Sequence, residues 1–308
     1  MNYKAYRLYF PVGIHIGRGT LEESGFSFGA DTLFSALCIE ARRRNKDDLE
    51  KLVSFVRDGQ LLLSDALPYI GEHYYVPKPM LHIPSERDGI STEKKAFKKL
   101  DYIPADKLER FLSGQLDAGR ELNYFRNLGK EVSKTGASVR GEEQTVPYRV
   151  GMFQFSDHAG LYVIVGYEGE QILNFLEELL TALSYSGIGG KRSSGMGRFE
   201  LFPCRLHEKL ERRLTADGNR YMTLSVSLPA DGELEAAVCG ATYLLVKRSG
   251  FVASEEYADS LLRKRDLYVF RAGSCFAHTF QGDIFDVSSQ GLHPVYRYAK
   301  PMFMEVDV

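Results

Sequence analysis

The stretch YSGIGGKRSSGMGRFEL, residues 185 to 201, combines residue types that bind phosphate groups. It holds five glycines and the adjacent Ser193 and Ser194, and its first carboxylate is Glu200. Its cations are Lys191, Arg192 and Arg198. Glycines let a backbone approach a ligand closely, and cations with free N–H groups attract anions. This chemistry suits a run of phosphodiester groups better than one terminal phosphate.

The loop does not match the glycine motifs that bind mononucleotides. Gly187, Gly189 and then Arg192 do not complete G-x-G-x-x-G, and Lys191 lacks the flanking residues of a Walker motif. Nucleotide-binding loops also precede a helix, whereas this loop follows a predicted helix, whose dipole disfavours phosphate by up to ~1 kcal/mol. Either the cations supply the attraction, or they merely complement the helix dipole in a glycine-rich turn.

The overall charge gives no sign of a nucleic-acid-binding protein. Lys and Arg number 39 and Asp and Glu number 41, for a formal net charge of −2. A basic site must therefore be local. The N-terminal residues lack the apolar core of a signal peptide, and no stretch approaches ~18 apolar residues, so we expect a cytoplasmic protein.

Two helices are predicted by apolar residues at helical spacing. One carries its apolar stripe from Ile172 to Leu183 and can end at Gly187. The other runs from Thr32 to Arg44, with Asp31 or Thr32 placed to cap its N-terminus.

The predicted strands surround these helices. Residues 3–16 are predicted as a strand interrupted near Pro11 and Gly13, and residues 199–206 as a second strand. Residues 60–76 are predicted as extended structure and residues 151–167 as a hairpin. The order strand, helix, strands, helix, strand is the ferredoxin-like pattern. We therefore predict an α+β protein built on a four-stranded antiparallel sheet with helices on one face.

Two ferredoxin-like (RRM-like) folds in tandem fit the length of 308 residues. The first spans residues 1–207 with a mostly polar insertion at 77–149, and the second, more degenerate, spans residues 208–308 after a linker beginning at Glu208. In the second half, KRSG at 247–250 echoes KRSSG at 191–195. The echo is either chance or the mark of a degenerate copy with the same loop chemistry.

Two residues invite a catalytic interpretation. His15 could act as a general acid or base in metal-independent RNA cleavage, or it could be a packed or RNA-stacking side chain. Asp31 could bind a metal ion, or it could cap the helix that follows. No common metalloprotease, calcium or nucleophile-elbow motif occurs, and we expect no cofactor and no metal site.

Several ordered motifs resemble the RAMP superfamily of CRISPR proteins, and more narrowly the family of subunit four of the type III-A Csm effector complex. The glycine pattern of Gly187, Gly189, Gly195 and Gly197 between a helix and the last strand is typical of the superfamily. The narrower resemblance rests on FPVGIHIG (10–17), ADTLFSALCIEA (30–41), GIGGKRSSGMGRF (187–199), KRSGFV (247–252), RKRDLYVFRAGSCF (263–276) and HPVYRYAKPMF (293–303).

The resemblance implies a non-catalytic, RNA-binding subunit of a ribonucleoprotein in antiviral defence. Such a subunit binds the single-stranded 5′ repeat-derived handle of the guide RNA (crRNA) and bridges the large polymerase-like subunit to the backbone RAMP subunits, with no membrane partner. The implied RNA-binding residues are His15, Gly17, Arg18, Gly187, Gly189, Gly190, Lys191, Arg192, Ser193, Ser194, Gly195, Gly197, Lys247 and Arg248.

The family also carries a thumb hairpin that kinks the guide. The resemblance places it at residues 130–149, with Lys134, Arg140 and Arg149 facing RNA, although Glu142 and Glu143 put negative charge there. Two alternatives stay open: a metal-independent RAMP endoribonuclease that processes precursor crRNA through His15, and a purely structural protein–protein adaptor.

Overall fold

The computed structural model describes residues 1–83, 91–140, 144–254, 257–258 and 260–307, without the side chains of 91–94, 138–140 and 144–146. The strands are β1 (Asn2–Tyr9), β2 (Ile16–Gly17), β3 (Ser24–Gly25), β4 (Leu61–Leu63), β5 (Leu67–Ile70), β6 (His73–Pro77), β7 (Tyr102–Pro104), β8 (Gly129–Arg140), β9 (Gln144–Phe155), β10 (Ala159–Tyr167), β11 (Glu200–Cys204), β12 (Tyr221–Thr223), β13 (Leu245–Arg248), β14 (Leu267–Phe270), β15 (Cys275–Phe276), β16 (Ile284–Asp286), β17 (Tyr296–Tyr298) and β18 (Phe303–Glu305). The helices are α1 (Ala30–Arg44), α2 (Lys46–Arg57), α3 (Ser91–Lys99), α4 (Leu108–Leu112), α5 (Ala118–Phe125), α6 (Glu170–Ser186), α7 (Glu208–Thr215) and α8 (Leu234–Val238).

The main sheet is antiparallel and has the strand order β11-β1-β10-β5-β6-β7, with β4 also paired to β10. Its central strand β10 is buried along its whole length. Helix α1 follows β1 in the chain, and α6 lies between β10 and β11. The predicted order of strand, helix, strands, helix and strand is therefore present in one sheet.

Both faces of this sheet are covered. Alternate residues of a strand point to opposite faces, and those of β10 enter different cores: Val163 packs with α1, α2 and α6, whereas Ile164 packs with α4, α7 and strands β12 and β18. The expectation of helices on one face was therefore wrong. The reason is that β10 is apolar on both sides, so each side needs a cover.

Helix α1 begins differently from the prediction. Its N-cap residue is Gly29, and no side chain at that position caps the helix. Instead, the N–H of Ala30 donates to Oδ1 of Asp65 at 2.8 Å, and the same oxygen accepts from Val226 N at 2.9 Å. Asp65 lies in the short connection between β4 and β5, which both pair with β10. This connection therefore supplies the cap of α1. The capping role predicted for Asp31 or Thr32 was wrong.

Two other predictions about local structure were wrong. Residues 151–155 pair with residues 129–133 and not with β10, as part of the β8–β9 hairpin, which contains the hairpin expected at residues 130–149. The supposed linker after Glu208 is helix α7, which buries Leu210 and Leu214. The insertion at residues 77–149 stays a prediction, and part of it builds the second core, through Leu108 and Phe111 among others. Apolar side chains at helical spacing explain α7 and this packing, because burying them stabilises the fold.

The C-terminal half consists of small sheets. Residues 208–307, where described, form a three-stranded sheet of order β15-β12-β18 and the strand pairs β13-β14 and β16-β17, with no four-stranded sheet. This half packs directly on the first, since the Tyr298 hydroxyl accepts from Leu63 N at 2.9 Å and donates to Leu63 O at 3.2 Å. No helix in the described ranges has the length and hydropathy to cross a membrane.

Candidate nucleic-acid interface

The glycine loop is closed at its base by contacts that only glycine permits. Gly187 ends α6 with φ 76°, and its N–H donates to Leu183 O at 2.7 Å. Gly197 has φ 78°, and its carbonyl accepts from Ile188 N at 3.0 Å. A Cβ added to Gly197 would lie 1.9 Å from the Ile188 carbonyl oxygen. The two ends of the loop are therefore clamped side by side.

The middle of the loop rests on His15. The N–H of Gly190 donates to His15 O at 2.8 Å. A Cβ on Gly189 would lie 2.6 Å from that oxygen, and one on Gly190 would lie 2.6 Å from the His15 ring. The glycines therefore let the loop backbone lie directly on the backbone and ring of His15, just before β2.

His15 itself is packed inside the protein. The residue is only 6% exposed. Its Nδ1 lies 2.6 Å from the carbonyl oxygen of Gly151 in β9. Because a carbonyl only accepts, Nδ1 carries the proton of this bond. His15 thus joins the glycine loop to the β8–β9 hairpin. Gly17 and Arg18 follow in the chain and are exposed. The Arg18 guanidinium packs against Gly25.

The outer part of the loop carries two of its three cations, Lys191 and Arg192. Residues Arg192 to Ser194 form a 3-10 turn that Lys191 precedes in a left-handed conformation, with φ 57°. The backbone N–H groups of Ser194 and Gly195 bond within this turn, so the loop does not present all of its N–H groups outward. The Lys191 ammonium lies 5.1 Å from the centre of the Tyr148 ring, a cation–π contact with β9.

An open cleft of about 490 Å³ lies beside this turn. Its lining residues are Arg43, Ser186, Lys191, Arg192 and Ser193. Three cations and the Ser193 hydroxyl therefore face one space, a donor set suited to phosphate oxygens, whereas the Ser186 hydroxyl donates to Glu40. Arg43 and Ser186 come from the ends of α1 and α6 and were missed by the sequence analysis. Only the packing of α1 against α6 brings Arg43 here, so local sequence held no signal for it.

The β8–β9 hairpin divides its predicted cations between two faces. Directly paired residues share a face, and Lys134 pairs with Val150 whereas Arg149 pairs with Thr135. Successive residues alternate, so Lys134 and Arg149 lie on opposite faces. The Lys134 face carries Val150 and packs on Met196 of the glycine loop. The side chain of Arg140, along with Glu142 and Glu143, lies outside the described residues.

The second basic turn is occupied by internal ion pairs. Lys247 Nζ lies 2.7 Å from Asp266. Arg248 contacts Asp31 with two nitrogens, at 2.8 and 2.5 Å, and Arg297 contacts the same carboxylate at 2.6 Å. Burial alone would raise the pKa of Asp31, but the two arginines outweigh it and hold the pKa below its ordinary value. Both Asp31 oxygens are thus engaged by guanidinium groups, and the RNA-binding role of Lys247 and Arg248 stays a prediction.

The C-terminal part of the chain matches a protein-family model. Residues 216–306 match the CRISPR Csm4 C-terminal domain. The CRISPR system Cms protein Csm4 of Mycobacterium tuberculosis (strain CDC 1551 / Oshkosh) is 46% identical over 306 residues, which cover 99% of this chain and 98% of that protein. The protein of the same name from Streptococcus thermophilus is 35% identical over 318 aligned positions, covering 100% of both chains.

Solved structures share the fold. A chain of the crystal structure of a Csm3-Csm4 subcomplex in the type III-A CRISPR-Cas interference complex superimposes with a TM-score of 0.67 at 19% identity, covering 98% of each chain. A chain of the Csm1-Csm4 cassette in complex with AMPPNP superimposes with a TM-score of 0.63 at 17% identity, covering 99% of this chain and 98% of that one.

Proposed function

We propose that this chain, which belongs to the Csm4 family of CRISPR proteins, is a non-catalytic subunit that binds the 5′ repeat-derived handle of the crRNA. In this proposal it also bridges the large polymerase-like subunit to the backbone RAMP subunits of the type III-A effector complex in antiviral defence. The family resemblance found in the sequence is confirmed by the 46% identity over almost the whole chain.

One observation carries the RNA-binding part of this proposal. A chain with a formal charge of −2 concentrates Lys191, Arg192 and Arg43 around a single open cleft at the glycine loop. Local positive charge is what the phosphates of a single strand require, and an exposed aromatic ring beside it can stack on a base. Tyr148 is such a ring, 36% exposed and next to Lys191.

The packing of His15 favours binding over cleavage. A general acid or base must reach the proton that it transfers, whereas His15 is buried and its Nδ1 is bonded to Gly151. Incubation of the protein with labelled repeat RNA in EDTA tests this point. We expect intact RNA. Defined cleavage that His15→Ala abolishes would instead establish the endoribonuclease.

The bridging role is supported by what the related proteins form. Their structures are those of a Csm3-Csm4 subcomplex and of a Csm1-Csm4 cassette. We propose that this chain binds the corresponding large and backbone subunits. Purification of the tagged chain from cells that express its operon should recover both subunits with crRNA. Recovery of neither subunit contradicts the bridge.

The RNA-binding test uses Lys191→Ala with Arg192→Ala in the full chain. The double variant should bind single-stranded repeat-derived RNA more weakly, and the slope of log affinity against log salt should fall by ~0.7 for each phosphate that the protein no longer neutralises. Lys209→Ala with Arg212→Ala is the matched control, since it removes the same charge from α7, which packs on the opposite face of the main sheet. If both double variants weakened RNA binding equally, the binding would depend on overall charge and not on the glycine loop. If neither variant changed RNA binding, a purely structural adaptor would be favoured.

A further inference from the structure

We propose that Arg43, at the C-terminal end of α1, is a phosphate-binding residue that holds a phosphodiester of single-stranded RNA in the cleft beside the glycine loop. This inference rests on the proposed function and extends it to a side chain outside the glycine loop. Arg43 lines the cleft together with Ser186 and the Lys191–Ser193 turn.

A buried carboxylate fixes Arg43 in place. Oε1 of Glu40 accepts a hydrogen bond from the Arg43 guanidinium at 2.7 Å and one from the Ser186 hydroxyl at 2.7 Å. Glu40 is only 6% exposed, whereas the Arg43 side chain is 55% exposed. The guanidinium is therefore anchored by one edge while much of its surface reaches solvent. A preorganised guanidinium loses less conformational freedom when it binds phosphate than an unanchored one.

The arrangement depends on how the two helices cross. Glu40 of α1 contacts Ser186 of α6, and Arg44, one turn further along α1, contacts Glu178 of α6 at 2.8 Å. The helices therefore run antiparallel, with the end of α6 lying over the last turns of α1. This crossing brings Arg43 to the turn that carries Lys191 and Arg192.

The charge of the cleft matches two phosphates. Arg43, Lys191 and Arg192 are cationic, and Glu40 is the carboxylate that contacts the Arg43 guanidinium. The excess of two positive charges would be neutralised by two successive phosphodiesters, each of which carries one negative charge. Without Arg43, the net positive charge of the cleft would fall and would no longer match two phosphodiesters. Arginine also offers a planar set of donors that matches phosphate oxygens.

A purely structural role for Arg43 makes a different prediction. Cations in the last turn of a helix complement its dipole, and Arg42, Arg43 and Arg44 all lie there. In that case Arg43→Ala would lower the unfolding midpoint and leave RNA binding unchanged. The phosphate-binding role instead predicts a change in both the affinity for RNA and its salt dependence.

The test measures binding of the full chain to labelled single-stranded repeat-derived RNA over a series of KCl concentrations. Arg43→Ala should weaken binding roughly tenfold, the lower end for a charge-assisted hydrogen bond, and reduce the salt slope by ~0.7. Arg43→Lys should keep the slope and recover part of the affinity, because the charge remains while the planar donors are removed. The unfolding midpoint of each variant is measured alongside.

Arg212→Ala is the matched control. Arg212 also lies one turn after a glutamate partner, Glu208, but on α7 at the opposite face of the sheet. Its removal should leave affinity and slope unchanged. If Lys191→Ala with Arg192→Ala weakens binding while Arg43→Ala behaves like Arg212→Ala, the role of Arg43 is overturned and the proposed function stands. If the wild-type chain binds no RNA, or neither loop cation matters, the proposed function fails and this inference fails with it. Weaker binding with an unchanged slope also overturns the phosphate-binding role.

Discussion

Two short basic segments of this protein have nearly the same sequence and opposite surroundings. KRSSG at 191–195 follows a helix, forms a 3-10 turn and places Lys191 and Arg192 at an open cleft. KRSG at 247–250 ends strand β13, and its two cations are neutralised by Asp266 and Asp31. The first segment presents its positive charge outward, whereas Arg248 of the second joins the C-terminal part of the chain to Asp31 of α1.

The difference shows that a basic Gly-Ser motif does not define a binding site by itself. What separates the segments is the position of the nearest carboxylates, which come from distant parts of the sequence. Asp31 lies 217 positions from Arg248, whereas the Lys191 ammonium lies over the Tyr148 ring. The two segments therefore differ in their ion pairs, and an RNA-binding role for the second one stays a prediction.

The largest expected effect comes from removing Asp31, the carboxylate that pairs with Arg248 of the KRSG segment. Asp31→Ala leaves Arg248 and the buried Arg297 without their shared counter-charge, and removing one partner of a buried ion pair costs about 3–5 kcal/mol. Urea unfolding should show a loss of this size. Asp266→Ala, which removes an exposed partner, is the control and should have little effect. Equal effects would mean that the Asp31 network is not what distinguishes this turn.

The next effect concerns the backbone of the glycine loop. Gly197→Ala places a Cβ against the Ile188 carbonyl at φ 78° and should destabilise the protein by about 1–3 kcal/mol while separating the loop ends and weakening RNA binding. Gly195→Ala is matched, because φ is 81° but nothing lies within 4 Å of the added Cβ. Both variants share the strained φ, and only Gly197→Ala adds the clash. The difference between them in thermal unfolding and RNA titration therefore measures the effect of the clash. A larger effect at Gly195 would contradict the clamped base of the loop.

The pH dependence of stability tests the same ion pairs without removing an atom. The pKa of Asp31 is held below its ordinary value. Its contribution is therefore fully present above the unfolded pKa of about 3.9 and is lost as the pH falls from there through the lower native pKa. Urea unfolding should show that the wild type loses stability below pH 4 more steeply than Asp31→Asn. Parallel curves would contradict the shift.

The smallest effect compares the two lysines in RNA binding. Lys191→Ala should weaken binding and reduce the salt slope by ~0.7. Lys247→Ala should change neither, since the Asp266 carboxylate is half-exposed and would repel a phosphate at Lys247, whereas the Glu40 carboxylate beside Arg43 is buried. The same titration on both variants gives the comparison directly. A loss of affinity with Lys247→Ala would restore this turn as an RNA-binding element, as the family resemblance implies.

Much of the first half of the fold could be predicted from local patterns. The apolar stripe of α6 and its end at Gly187 agree with the structure, as do the helix at residues 30–44 and the strand order around them. These features depend on periodicity and on a single glycine. The partner of residues 151–155 could not be predicted from the alternation, which identifies a strand and says nothing about the strand that pairs with it.

The candidate site was only partly predictable for the same reason. The glycine loop and His15 are adjacent in the fold and could be identified from residue type and the family resemblance. Arg43 and Ser186 join them only because α1 crosses α6, and the cap of α1 comes from Asp65, far along the chain. Contacts set by tertiary packing leave no periodic signal in the sequence.

The ion-paired Asp31 also decides how this protein can be divided. A fragment ending at Thr215 would leave a buried carboxylate without either arginine, and helix α1 would begin beside an isolated negative charge. The segment matched by the C-terminal family model therefore supplies both cationic partners of a carboxylate in the N-terminal part of the chain. In a chimera that exchanges this segment between relatives, the segment brings both arginines. The recipient must then provide a carboxylate at the position of Asp31.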